Sequence, residues 1–391
     1  MSAGGHGLDT VVAAFVPLVD AAVLVAAREL GFAQEHGIEL RLVKEPSWAS
    51  LRDHLNLGHV DCAHALAPLP IAAALGIGQV RSVHAVPFVL GRGGNAITVS
   101  NALADELRDA DGELRLDSPA RTAQALAAAA RRRGGELTLA MVYPFSGHNF
   151  ELRYWLASAG LDPDRDVRLV TIPPPLMVES LRAGHIDGFC VGEPWNSVAV
   201  EERIGAIAAV KSKLLPFGIE KVLAMRTALA ADADATDRLL RSLRAAARWC
   251  DTPANRPELA ALLARPEYLG VPAHVIGRSL GGVLDVGGGA TFEDGEFLVF
   301  ARRDASAPRP EEALWLYAQM VRWGQTRLDR RLAAAAEAVF RPDLYERAVG
   351  APAAAGGVEA FDGARFDADR LGEYLAQFPV RAGGAGFTDR S

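Results

Sequence analysis

Cysteine is scarce in this chain. Cys62, Cys190 and Cys250 are the only three in 391 residues, too few and too scattered for a disulfide framework or a zinc cluster. Cys62 and Cys190 stand in apolar, strand-like contexts, the setting of buried, unreactive thiols. Positive charge is not in excess either. A net charge of −7 argues against direct nucleic-acid binding, which favours a basic surface. No run approaches the roughly 18 uninterrupted apolar residues of a membrane span. The apolar stretch from Val11 to Ala27 is broken by Pro17 and Asp20. Met1 to Leu8 carries no lysine or arginine, and no lipobox cysteine or small-residue cleavage site follows. This segment therefore reads as a buried strand, Val11–Val16, then a helix capped by Asp20 and ending near Gly31. As written, the chain is expected to be cytoplasmic, with no membrane partner.

Half of the residues are apolar, enough for a large core, and 391 residues are too many for one ordinary core. An internal repeat says how they divide. Leu55-Asn-Leu-Gly58-His59-Val60-Asp61-Cys62 returns in outline as Leu181-Arg-Ala-Gly184-His185-Ile186-Asp187-Gly188. Each copy follows an apolar run (Ile38–Val43, Val167–Ile172), a proline break (Pro46-Ser47-Trp48, Pro173-Pro174-Pro175) and a short helical stretch. Two copies of one α/β unit predict two similar lobes, and facing lobes make a cleft that can close on a small ligand.

Strand-like and helical segments alternate to about residue 225, as in a mainly parallel α/β fold. The first lobe is read as strand 38–43, helix 49–57, strand 60–65, a helix from Pro68 and strand 80–88. The second is read as helix 119–133, strand 137–142, helix 148–159, strand 167–172, helix 176–183 and strand 186–191. The chain then returns near 192–222 and becomes mostly helical, with helices at 234–250, 257–264, 310–324 and 329–339. Gly281–Gly295 reads as a glycine-rich loop, 351–357 as a linker, 366–378 as an amphipathic segment and 381–391 as a disordered tail. The expected division is 1–96 and 206–345 for the first lobe, 97–205 for the second, and 346–391 as a C-terminal extension. Gly91-Arg-Gly93-Gly94 runs into a β-prone stretch and not into a helix, so it is no dinucleotide fingerprint but a crossing between lobes.

Residues suited to a small anion stand at loop positions of both lobes. Trp48 offers an indole N–H at a helix start. Asn95 brings an amide beside the backbone N–H groups of Gly93 and Gly94. His148 lies at a predicted helix N-terminus, where the dipole favours negative charge. Lys221 would supply a full positive charge, worth about 4 kcal/mol at 4 Å and an effective dielectric of about 20, before desolvation. Lys221→Ala should therefore weaken anion binding more than Asn95→Ala. Taken singly, Trp48 could equally be a packing residue, His148 a helix cap and Lys221 a solvated charge. His59 and His185 read as packing or capping residues. Glu193 reads as a hinge group held by hydrogen bonds, with Trp195 packed behind the cleft. No nucleophile–base–acid cluster or metal motif points to an enzyme, and no cofactor is called for.

Pro46–Asp53, Gly93-Gly-Asn-Ala-Ile97, Gly147–Leu156, Ile172–Val178 and Gly188-Phe-Cys-Val-Gly-Glu-Pro-Trp-Asn196 together carry a family likeness over roughly residues 10–225. The chain resembles the substrate-binding proteins of nitrate/bicarbonate ABC transporters, and more closely their cytoplasmic relative, the nitrate/nitrite sensor of a nitrate-assimilation antitermination system. The resemblance implies a bilobed periplasmic-binding-protein-like (type II) fold, with two α/β lobes, two hinge crossings and a helical C-terminal part. It implies that Trp48, Gly94, Asn95, His148, Pro174 and Lys221 line an anion site. Asn95 is shorter than the glutamine of transporter members. Lysine at 221, where the bicarbonate branch has an acid that works with a metal, favours nitrate or nitrite without one. It further implies a partner, an RNA-binding antiterminator released when the anion binds. The alternative is the substrate-binding subunit of a nitrate-type ABC importer.

Overall fold

The computed structural model describes residues 8–134, 137–350 and 357–379. Expectations for 1–7, 351–356 and 380–391 lie outside the described residues. Four strands open the first lobe: β1 Asp9–Phe15, β2 Ile38–Lys44, β3 Cys62–Leu66 and β4 His84–Gly93. The second lobe holds β5 Asn95–Ser100, β6 Thr138–Met141, β7 Arg168–Thr171, β8 Gly188–Gly192 and β9 Gly205–Val210. β10, Ile219–Arg226, returns to the first sheet. After it come the pair β11 Val283–Gly287 and β12 Ala290–Glu293, and then β13 Leu298–Val299 on the edge of β4.

The sheet orders are β13-β4-β10-β3-β1-β2 and β7-β6-β8-β5-β9. In each, a parallel triplet (β2-β1-β3, β7-β6-β8) meets two antiparallel strands that carry the crossings. The repeated sequence is thus a repeated architecture, and the fold is the bilobed periplasmic-binding-protein-like one.

The Gly-His-x-Asp motif has the same physical task in both lobes. Gly58 (φ +78°) and Gly184 (φ +70°) end their helices in the left-handed region that glycine enters freely. The Asp61 carboxylate accepts from Val12 N at 2.9 Å and the Asp187 carboxylate from Thr138 N at 2.8 Å. Each aspartate thereby fixes where its strand meets the neighbouring parallel strand. The rings of His59 and His185 lie outside, in exposed residues.

Several expectations need correction. Asp20 does not cap the first helix, which runs Ala22–Glu29; its side chain makes no cap bond and turns inward. Gly281–Gly295 is mostly a β-hairpin, β11 with β12, turning at Gly288 and Gly289, where positive φ lets the chain reverse. Helices Ala273–Gly281 and Pro342–Val349 are additional to the expected ones. Residues 205–210 pair with β5, so the chain returns to the first lobe after Val210, not after residue 205. At the first crossing, Gly93 and Gly94 both have positive φ, +72° and +78°. Gly93 N donates to Gly218 O at 3.1 Å, which ties the two crossings together.

Candidate functional site

A buried polar cluster lies between the lobes. Trp48 is the first residue of helix Trp48–Leu57; Ser47 caps it by accepting from Ser50 N at 3.2 Å. The Trp48 indole is 1% exposed, and its Nε1 has no hydrogen-bond partner. Lys221 Nζ lies 5.5 Å from its ring centroid, and the His64 ring lies 5.7 Å away. From the other lobe, helix Gly147–Ser158 brings His148, fully buried, with both ring nitrogens unpartnered and Nδ1 3.6 Å from Glu220 Oε1. Trp48, His148 and Lys221 therefore meet in one interior.

Lys221 is not a free charge, however. Its ammonium sits 2.8 Å from Asp20 Oδ2 and 2.9 Å from Glu220 Oε1. Asp20 also receives His64 Nε2 at 2.8 Å. Glu220 pairs onward with Lys211, whose Nζ is 2.7 Å from Glu151 Oε1, and Glu151 in turn accepts the Asn95 amide at 3.1 Å. Asp20, Lys221, Glu220, Lys211, Glu151 and Asn95 form a buried chain of alternating charge from one lobe through the return crossing into the other.

Glu220 and Lys221 are sequence neighbours and would face opposite sides of a regular strand. Here the pairing of β10 with β4 slips on both sides of Lys221, and this bulge turns both side chains into the interior. Glu220 also takes the place at the N-terminus of helix Gly147–Ser158 that a bound anion was expected to occupy. A Cβ on Gly147 would collide with Glu220 Oε2. Neither crossing glycine offers a free amide, since Gly94 N donates to Phe297 O at 2.6 Å. The Asn95 amide is spent on Glu151, leaving its buried Oδ1 unpartnered. Pro174 is buried at the start of the turn Pro174–Leu176, and no hydrogen bond, ion pair or ring contact joins it to the cluster among the described residues.

Burial and the ion pairs oppose each other in setting the protonation states. It pushes His148 down to about 3, so the ring is neutral and offers one N–H. His64 is likewise held down by burial, despite Asp20. Burial disfavours ionised Asp20 and Glu220, but the lysines hold both below the ordinary carboxylate range. Glu151 goes the other way: burial and the nearby Glu220 raise it against the pull of Lys211. The cysteines are buried, with their thiols pushed up by desolvation, as unreactive thiols should be.

Sequence reading missed Asp20, His64, Glu151, Lys211 and Glu220. Glu151 had a signal, since it lies three residues after His148 on one helix face. Glu193 plays its expected part. Its N donates to Gly94 O at 3.0 Å and its O accepts from Val19 N at 2.7 Å, so its backbone ties the first crossing to the first lobe. Its carboxyl accepts from Ser197 N at 3.2 Å, and burial raises it to about 7. Between about 4.5 and 7 the folded state keeps a proton that the unfolded state has lost, so this group's stabilisation is full below that window and fades as pH rises through it. Urea denaturation should show wild type losing stability relative to Glu193→Gln between pH 5 and pH 8. Parallel pH profiles would refute the buried state of this carboxyl.

Among the described residues no helix is long and apolar enough to cross a membrane. Residues 6–264 match the NMT1-like family. The chain is 35% identical over 389 residues to the nitrate/nitrite binding protein NrtA of Synechococcus elongatus, covering 94% of this chain and 86% of that protein. It is 38% identical to the nitrate import ATP-binding protein NrtC of Synechocystis, over 96% of this chain but only 56% of that longer protein's length. The crystal structure of the periplasmic nitrate-binding protein NrtA from Synechocystis superposes with a TM-score of 0.88 at 28% identity, covering 95% of this chain and 99% of that one. The chain belongs to the NMT1-like family and is a relative of the nitrate/nitrite-binding protein NrtA.

Proposed function

We propose that the chain binds nitrate or nitrite between its lobes, as the substrate-binding unit of an ABC importer. The observation that carries this reading is the pair of buried, unpartnered donors, Trp48 Nε1 and the His148 ring, set against Lys221 in a fold shared with NrtA. A buried donor without an acceptor costs roughly 1–3 kcal/mol, and a flat oxyanion would relieve two of them at once. The relatives named above serve import or anion binding, and none ties the chain to an RNA-binding antiterminator. The comparisons therefore support the importer better than the cytoplasmic sensor that the sequence favoured. Isothermal titration with nitrate, nitrite, bicarbonate and sulfate tests the reading. Heat with nitrate or nitrite alone supports it, and binding only of bicarbonate or sulfate overturns it.

The charge balance adds an expected result. Asp20, Glu151 and Glu220 share two ammonium groups, Lys211 and Lys221, while burial disfavours charge on His64 and His148, so the cluster has no spare cation for the incoming anion. A proton on Glu151, already displaced toward its neutral form, would compensate. Nitrate affinity should then fall as pH rises, and titrations in buffers of different ionisation enthalpy should show proton uptake. Buffer-independent heats would refute this coupling.

A further inference from the structure

A separate cavity of about 750 Å³ lies against the return crossing, lined by Ser212, Phe217, Arg309, Asp117 and residues 357–359. Arg309 is only 7% exposed, yet its side chain makes no hydrogen bond with any described residue, and its Nε is buried without a partner. Its guanidinium lies 5.5 Å from the Phe217 ring centroid. Burial and the neighbouring Arg92 disfavour its charge, against Glu312, Glu311 and Asp304. Ser212, 6% exposed, has an unpartnered Oγ on the same wall.

The other charges of the lining are already matched. Lys213 pairs with Asp294 at 3.2 Å, Arg303 with Glu296 at 3.0 Å, Glu359 with Arg365 at 3.5 Å, and Glu312 with Arg92. That leaves one cation, the interior Arg309, and one anion, the exposed Asp117 at the mouth beside the N-terminus of helix Pro119–Arg132. A guanidinium selects a carboxylate, and a lone carboxylate at a rim selects an ammonium.

We propose that this cavity is a second ligand site, taking a small zwitterion of the α-amino-acid class with its carboxylate on Arg309 and Ser212 and its amine toward Asp117. Ser212 and Phe217 belong to the segment that carries the chain back between the lobes, so occupancy would bias lobe closure and change affinity at the cleft, and the reverse follows by linkage. The site itself stands independently of what the cleft binds.

The test is calorimetry and thermal melting of the full chain with glycine, glutamine, glutamate, succinate and inorganic phosphate, each with and without saturating nitrate. The expected result is heat and a raised Tm with at least one amino acid, persisting in nitrate. Arg309→Met and the exposed Asp117→Asn should each weaken it about tenfold, the loss of one charge-assisted hydrogen bond. Asp117→Asn removes no buried group, so it keeps the test valid should Arg309→Met not fold. No binding by any amino acid overturns the proposal. So does binding of succinate or phosphate in their place, competitive displacement by nitrate, or indifference to Asp117→Asn.

Discussion

Lys221→Met is expected to cost about 3–5 kcal/mol of folding stability and to remove detectable nitrate binding. The ammonium lies within 3 Å of carboxylates from two different elements, Asp20 at 2.8 Å and Glu220 at 2.9 Å, all essentially buried. Removing it leaves two carboxylates to repel each other in a medium that solvates neither. Asn95→Ala removes one neutral amide from Glu151, a loss of roughly 1–3 kcal/mol. The order foreseen from charge alone is thus retained, but for a different reason. Lys221 is needed first to hold the protein's own carboxylates; under the proposed function it serves the ligand only through that framework. Urea denaturation and calorimetry on both variants check this. A Lys221→Met protein within 1 kcal/mol of wild type would show that the buried chain of charges is not formed in solution.

Gly147→Ala should be nearly as damaging, although it adds a single methyl group. At the first position of helix Gly147–Ser158 a Cβ would run into Glu220 Oε2 and come within 3.0 Å of Glu151 Oε1. Neither carboxylate can yield cheaply, because Lys211 pins both. Overpacking of this kind costs about 1–3 kcal/mol, and here the displaced atoms belong to the cluster that presents His148. The expected outcome is a drop of at least tenfold in nitrate affinity with the far-UV spectrum unchanged. Unaltered affinity would place the ligand away from the N-terminus of this helix.

The repeat was legible because its parts act locally. A helix stop needs glycine in the left-handed region, and an aspartate just before a strand can reach a neighbouring strand's amide; Gly58 with Asp61 and Gly184 with Asp187 do so in both lobes. The helix starts at Trp48 and Gly147 were read to within one residue, as 49 and 148, and in the structure a serine caps each. The hairpin at 283–293 was not, because its pairing depends on a partner strand that glycine-rich composition disguises.

The ligand-facing chemistry divides along the same line. Sequence alone determined that there are two α/β lobes and that glycines carry the first crossing, and the family resemblance pointed to Trp48, His148 and Lys221. Only the tertiary structure decided what charge the cleft holds. Asp20, Glu151, Lys211 and the pair Glu220–Lys221 come from four separate stretches, and a strand bulge turns both members of the pair inward. Periodicity predicts which face a residue takes in a regular element. It cannot predict a register slip, nor the long-range Coulomb pairing that makes burial of five ionisable groups tolerable.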